Sequence, residues 1–292
     1  MKKILLASTI LVGTAGFAAA DNANFTFSGA AYAGVAYSNL GAGTFAPEVS
    51  AEFTAGMMTT TDTGLEAGAS VTVSARGLSF DDDYTTTTFG LLSEDGSSIS
   101  NASVYLSGDW GKVTVTYDDD GSGAGATTTD WDVVFAYSNT WGDFSVNAYY
   151  TVAIDGATGT NGDLGVTGTY SFGDYSVYAE YDFDAWDATA AGAEHLVGVG
   201  IDATFGAFSA GVDLDYSITN SDLDWQADVA YSSGAYTIGA FVDEDDAGVN
   251  WGFDAGLTAS YDLGGGVSID GAAIHDDATD SELFKLGVSM AF

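Results

Sequence analysis

From residue 24 to the C-terminus the chain alternates between apolar side chains and small or polar ones. The last stretch is the cleanest. Phe284, Leu286, Val288, Met290 and Phe292 are large and apolar, and Lys285, Gly287, Ser289 and Ala291 sit between them. Successive side chains of a strand point to opposite faces, so this period of two predicts a strand with one greasy and one wet face. The pattern recurs along the chain. Residues 24–38 place Phe25, Phe27, Ala31, Ala33, Val35 and Tyr37 on one face; residues 48–60 set Val49, Ala51, Phe53, Ala55 and Met57 against Glu48, Ser50, Glu52 and Thr54. Residues 64–76 set Leu65, Ala67, Ala69, Val71 and Val73 against Glu66, Ser70, Thr72, Ser74 and Arg76. Further strands are predicted over 100–108, 111–118, 131–139, 143–152, 163–172, 174–183, 195–205, 207–216, 235–243, 249–262 and 266–274, with a clear one between 216 and 235 in which Leu223, Trp225, Ala227, Val229 and Tyr231 alternate with acids and Gln226. The total is about sixteen strands.

The connections alternate as well. Those after even-numbered strands are tight and glycine-containing, as in Phe172-Gly173-Asp174 and Phe205-Gly206-Ala207. Those after odd-numbered strands are mostly longer, with acidic clusters such as Asp243–Asp246 and Asp276-Asp277. Short turns at one end, long loops at the other and an even strand count describe a transmembrane antiparallel β-barrel. A soluble β-sandwich also alternates. The repetition, the leader described next and the terminal aromatic Phe292 favour the barrel. At sixteen strands such a barrel encloses a water-filled bore, and the inward Ser, Thr, Gly, Asp and Glu are too small to plug it.

The chain starts Met1-Lys2-Lys3, continues with an apolar run from Ile4 to Ala20, and reaches Ala18-Ala19-Ala20 before Asp21. That is the form of a secretory signal peptide (1–20), so the barrel is expected to occupy 21–292 as one domain. Formal net charge is −37, from 42 acidic and 5 basic residues. Removing Lys2 and Lys3 leaves Arg76, Lys112 and Lys285 as the cations. So acidic a chain repels nucleic-acid phosphates. Cysteine is absent, so neither disulfides nor thiolate metal sites are available. No apolar run of about twenty residues follows the leader, and a membrane-spanning body must then be a closed barrel.

Four stretches carry a resemblance to a known family: Thr61-Asp62-Thr63-Gly64-Leu65-Glu66-Ala67-Gly68-Ala69-Ser70, Val104 through Lys112, Ser260 through Ser268, and the terminal strand. Together they resemble the general porins of Gram-negative bacteria, especially the α-proteobacterial, Rhodobacter-like branch. The resemblance implies a sixteen-stranded outer-membrane barrel, usually a homotrimer, that passes small hydrophilic solutes by passive diffusion. It also implies that the loop after the fifth strand narrows the bore, its acids facing basic residues on the opposite wall. By position the acidic side is Asp118, Asp119, Asp120, Asp130 and Asp132, and Arg76 and Lys285 are the candidates for the basic wall. The loop is shorter than the family's, and the segment 77–98 sits where the family's second loop latches onto a neighbouring subunit.

Alternation assigns Glu48, Glu52, Glu66, Glu180, Asp202, Asp213, Asp215, Asp228, Asp254 and Asp270 to the bore. Carboxylates lining a pore favour cations. Asp118-Asp119-Asp120-Gly121 offers hard oxygen ligands of the kind Ca²⁺ takes, without the spacing of an EF-hand. Diffuse divalent binding that bridges the acidic loops to anionic lipopolysaccharide is the alternative expectation. His195 and His275 are the only histidines, fall on the apolar faces and belong to no catalytic constellation, so no enzyme is expected. Trp131, Trp225 and Trp251, with Tyr37, Tyr137 and Tyr261, suit aromatic girdles at the lipid boundary. The reading is a cation-preferring diffusion porin without a cofactor. The alternative is a non-conducting structural or adhesive barrel with ion-binding acidic loops.

Overall fold

A computed structural model of the chain describes residues 24–39, 43–77, 98–119, 131–153, 162–187, 192–246, 251–277 and 280–292. Sixteen strands make up almost all of them: β1 (Asn24–Ser38), β2 (Thr44–Thr60), β3 (Glu66–Gly77), β4 (Ser98–Gly108), β5 (Gly111–Asp119), β6 (Trp131–Trp141), β7 (Phe144–Ala153) and β8 (Leu164–Phe172), then β9 (Tyr175–Asp187), β10 (Gly192–Phe205), β11 (Phe208–Ser217), β12 (Asp222–Ser233), β13 (Tyr236–Asp246), β14 (Trp251–Gly264), β15 (Val267–Asp276) and β16 (Ser281–Ala291). Each strand pairs antiparallel with its sequence neighbours, and β1 pairs with β16 to close the barrel. Closure removes both sheet edges, so every strand finds ladder partners on two sides, which a hydrocarbon environment requires.

The tight ends are built by glycine. Gly142, Gly173, Gly206 and Gly234 open two-residue turns with φ of 62°, 62°, 62° and 60°. A first turn residue with positive φ matches the right-handed twist of a hairpin, and it is glycine's natural conformation.

The register sorts the side chains into two sets. The outer set is apolar and stays exposed on the isolated chain: Phe53, Val104, Phe135, Ile201, Leu257 and Leu286 are each more than 40% accessible. Among the described residues only Ala36 and Leu283 are buried apolar side chains. The hydrophobic material is therefore outside, where it contacts lipid.

Three expectations from the sequence need correction. The second strand starts at Thr44, four residues before the expected start at 48, and runs through Pro47, which pairs with Val35. The acids Asp243–Asp246 and Asp276 are strand, because β13 and β15 continue to pair with β14 and β16 as far as Asp246↔Trp251 and Asp276↔Ser281. Asp119, one residue past the expected end of the fifth strand, likewise belongs to β5, where it pairs with Trp131; Asp118 and Asp132, expected inside strands 111–118 and 131–139, pair with each other. In each case the neighbouring ladder outweighs the weak strand preference of aspartate.

Candidate functional site in the barrel wall

The inner face can be read row by row from the pairing. Thr169, Tyr178, Gly200, Asp213, Gln226, Asp243 and Asp254 share one row across β8 to β14. Thr167, Glu180, Gly198, Asp215 and Asp224 share the next row toward the loops. On the turn side of the first row lie Ser176, Asp202, Gly211, Asp228, Phe241, Gly256 and Ile274. Six of the acids expected in the bore (Glu180, Asp202, Asp213, Asp215, Asp228 and Asp254) thus fall together on one wall, β9 to β14. Asp182, Glu194 and Asp224 stand on the same face and were not singled out from the sequence, although their parity matches that of their neighbours.

Glycines make room for these carboxylates. A Cβ on Gly198 would meet both Asp215 and Glu180, and one on Gly211 would meet both Asp228 and Asp202. The side chains lie down over the bare backbone. Hydrogen bonds fix several of them: Thr167 donates to Glu180 at 3.4 Å, Ser176 to Asp202 at 3.2 Å, and Tyr178 to Asp213 at 2.6 Å. Tyr149 donates to Asp182 at 2.7 Å, while Ser217 and Asn220 donate to Glu194 at 2.6 and 3.0 Å. No lysine or arginine occurs between Lys112 and Lys285 in the sequence, so this wall carries no basic side chain of its own.

The opposite wall, β15 round to β5, is different. Glu48, Glu52, Glu66 and Asp270 stand on it. Asp270 accepts from Ser260 at 2.6 Å and Ser268 at 2.8 Å, and Glu66 accepts from Tyr105 at 2.8 Å. Lys285, opposite Ala36 of β1, reaches diagonally across that strand to Glu48 of β2 at 3.5 Å, and Glu48 is only 7% exposed. Lys112 lies 4.1 Å from the centre of the Tyr105 ring. Both described lysines are therefore held against the wall by a partner. Replacing Glu48 by Gln is expected to release the Lys285 charge into the bore, remove one wall carboxylate and lower the cation-to-anion permeability ratio about twofold. Reversal potentials of the variant and the native channel in the same KCl gradient check this.

The backbone of Arg76 pairs with Ser50. Asp120 and Asp130 lie outside the described residues, as do most of 77–98 and the leader 1–20. Among the described residues no group of three or more His, Asp or Glu is arranged to hold a metal ion. Both histidines are on the outer face near the loop end. His195 meets Tyr181 at 2.8 Å and His275 meets Glu282 at 3.1 Å.

A closed sixteen-stranded barrel, apolar outside and carboxylate-rich inside, defines a membrane channel protein. The chain belongs to the Gram-negative porin family, whose model matches residues 7–281. It is accordingly an integral β-barrel of the outer membrane. Its fold is similar to that of a multiply substituted variant of Rh. blastica porin (TM-score 0.66, 18% identity, covering 92% of this chain and 100% of that one). A porin structure refined at 1.8 Å resolution gives TM-score 0.65 at 24% identity with the same coverage, 92% and 100%. A protein described under the asymmetric conductivity of engineered proteins gives TM-score 0.67 at 17% identity, again covering 92% and 100%. No curated protein sequence matches the chain.

Proposed function

We propose that the mature chain, from Asp21, forms a water-filled, cation-preferring channel for passive diffusion of small hydrophilic solutes and ions. The carboxylate wall of β9 to β14 carries the reading. Glu180, Asp182, Asp202, Asp213, Asp215 and Asp228 crowd over shared glycines with no basic side chain in that half of the barrel, so mobile cations must balance them. Low-dielectric walls concentrate that field in the bore, and small inward residues favour an open passage over a plugged one. The wall acids are the proposed selectivity residues. The acids Asp118, Asp119, Asp120, Asp130 and Asp132, at the facing ends of β5 and β6 and between them, are with Arg76 a further candidate for narrowing the bore.

We also propose that three copies associate through the outer face of β1 to β4. That face presents Ala31, Ala33, Ala51, Ala55, Ala67 and Ala69, whose small side chains permit close approach. Its turn-side aromatics are phenylalanines, with Phe27 and Phe53 stacked at 5.8 Å. Elsewhere the turn-side belt carries polar-tipped rings suited to headgroups, including Tyr170, Tyr175, Tyr231, Tyr236 and Tyr261.

Single-channel recording in a planar bilayer under a KCl gradient tests the function. The expected result is stable current steps with a reversal potential on the K⁺ side. Folded protein that gives no steps supports the adhesive-barrel alternative instead, and a Cl⁻-side reversal overturns the charge argument.

A further inference from the structure

Apart from Tyr32, which lies over Gly34 and Gly287 with its hydroxyl at Glu48 near the seam, the inner wall repeats one small arrangement three times. An aromatic ring lies over a glycine on the next strand, and its hydroxyl reaches a carboxylate. Tyr105 covers Gly68 and donates to Glu66 at 2.8 Å; Tyr149 covers Gly165 and donates to Asp182 at 2.7 Å; Tyr178 covers Gly200 and donates to Asp213 at 2.6 Å. The last two share a row pattern across three consecutive strands, Tyr–Gly–Asp. Phe241 covers Gly256 in the same way, and the residue beyond that glycine is Ile274, which has nothing to accept a hydroxyl. In these rows tyrosine stands where the third member is an acid and phenylalanine where it is apolar; Tyr105 instead reaches Glu66 two residues along β3, the residue beyond Gly68 being Met58.

Each such tyrosine has one face on the backbone and the other toward the bore, with a carboxylate at its tip. An aromatic face is electron-rich and attracts cations whose hydration is incomplete. In one of the three units the occupant of that face is visible. Lys112, a primary alkylammonium on an apolar stem, sits 4.1 Å from the Tyr105 ring centre, beside Glu66. Among the described residues no ammonium group or other ring lies against Tyr149 or Tyr178. We propose that Tyr149 with Asp182 and Tyr178 with Asp213 are half-sites for alkylammonium solutes, and that the channel passes organic ammonium ions in preference to inorganic cations of the same charge. The Lys112–Tyr105–Glu66 unit is the same half-site filled by the protein's own side chain. This rests on the cation-preferring reading above and adds the class of solute.

The test uses n-butylammonium chloride against KCl in bi-ionic planar-bilayer recordings of the full channel. The double variant Tyr149→Leu, Tyr178→Leu removes the aromatic faces and keeps apolar bulk over the glycines. It is expected to lower the butylammonium-to-K⁺ permeability ratio about threefold. Tyr149→Phe with Tyr178→Phe keeps the faces and is expected to retain most of the ratio. Lys112→Met vacates the Tyr105 face and is expected to raise the ratio, and this arm decides the matter should the leucine variant not fold. A native ratio in the leucine variant, an equal fall in the leucine and phenylalanine variants, or no rise in Lys112→Met overturns the proposal. The K⁺/Cl⁻ reversal potential, read in the same bilayers, reports the underlying cation preference separately. A native channel without it sinks the parent reading, whatever the ammonium ratio.

Discussion

Replacing Asp182, Asp213, Asp215 and Asp228 together by asparagine is expected to lower the K⁺/Cl⁻ permeability ratio about tenfold in dilute salt. Asparagine keeps the volume, and Tyr149 and Tyr178 can still donate to its amide oxygen, so the wall geometry survives while four charges disappear. The four residues lie on four adjacent inner rows of β9 to β12, and no lysine or arginine of those strands offsets them. Removing them takes away field that nothing else on that wall supplies. The loss should shrink at 1 M salt, where the screening length falls to about 3 Å from about 10 Å at 0.1 M. Reversal potentials at the two salt concentrations measure the loss and its screening. Glu282→Gln, on the outer face beside His275, is the control and should leave the ratio unchanged. An unchanged ratio in the fourfold variant would move the selectivity to the loop acids between β5 and β6.

Much of this architecture is legible in the chain because lipid on one side and water on the other impose a strict period of two. Runs such as Leu223 to Tyr231 and Phe284 to Phe292 state their register without a structure, and the parity they give places Glu180, Asp202, Asp213, Asp215, Asp228 and Asp254 on the same face as the pairing does. Strand ends were harder to read. Glu244–Asp246 and Asp119 carry the composition of a loop, and only the neighbouring ladder extends the strand over them. The tyrosine units were not legible. Alternation puts Tyr149 on the inner face with Asn147, and Tyr178 with Glu180, but it does not say what either ring covers. Their role depends on which glycine stands opposite on the next strand, and that requires the register of two hairpins. The pairing of Lys285 with Glu48 was hidden for the same reason, since it spans the seam between the two ends of the chain.

Replacing Gly266 by Val is expected to reduce the yield of folded barrel at least tenfold. Gly266 closes the turn between β14 and β15 with φ of 79°, where a β-branched residue is strained by about 1–3 kcal/mol. The larger cost is steric. A Cβ there runs into the backbone carbonyl of Ala291, on the strand that completes the barrel. That carbonyl cannot yield cheaply. The N–H of Ala291 donates to the Gly266 carbonyl at 2.7 Å, and the next residue, Phe292, exchanges two 3.0 Å backbone bonds with Gly29. Moving one pulls on the closure of β16 against β1. Gly173→Ala gives the contrast: its φ is also positive, at 62°, but nothing lies within 4 Å of the added Cβ. It should cost about 1 kcal/mol or less and leave a barrel that resists cold detergent and shifts in mobility on boiling. Comparing that shift for the two variants separates strain, which this fold absorbs at an open turn, from obstruction of the seam, which it cannot. Equal yields from both would mean that the C-terminal strand docks independently of the turn beside it.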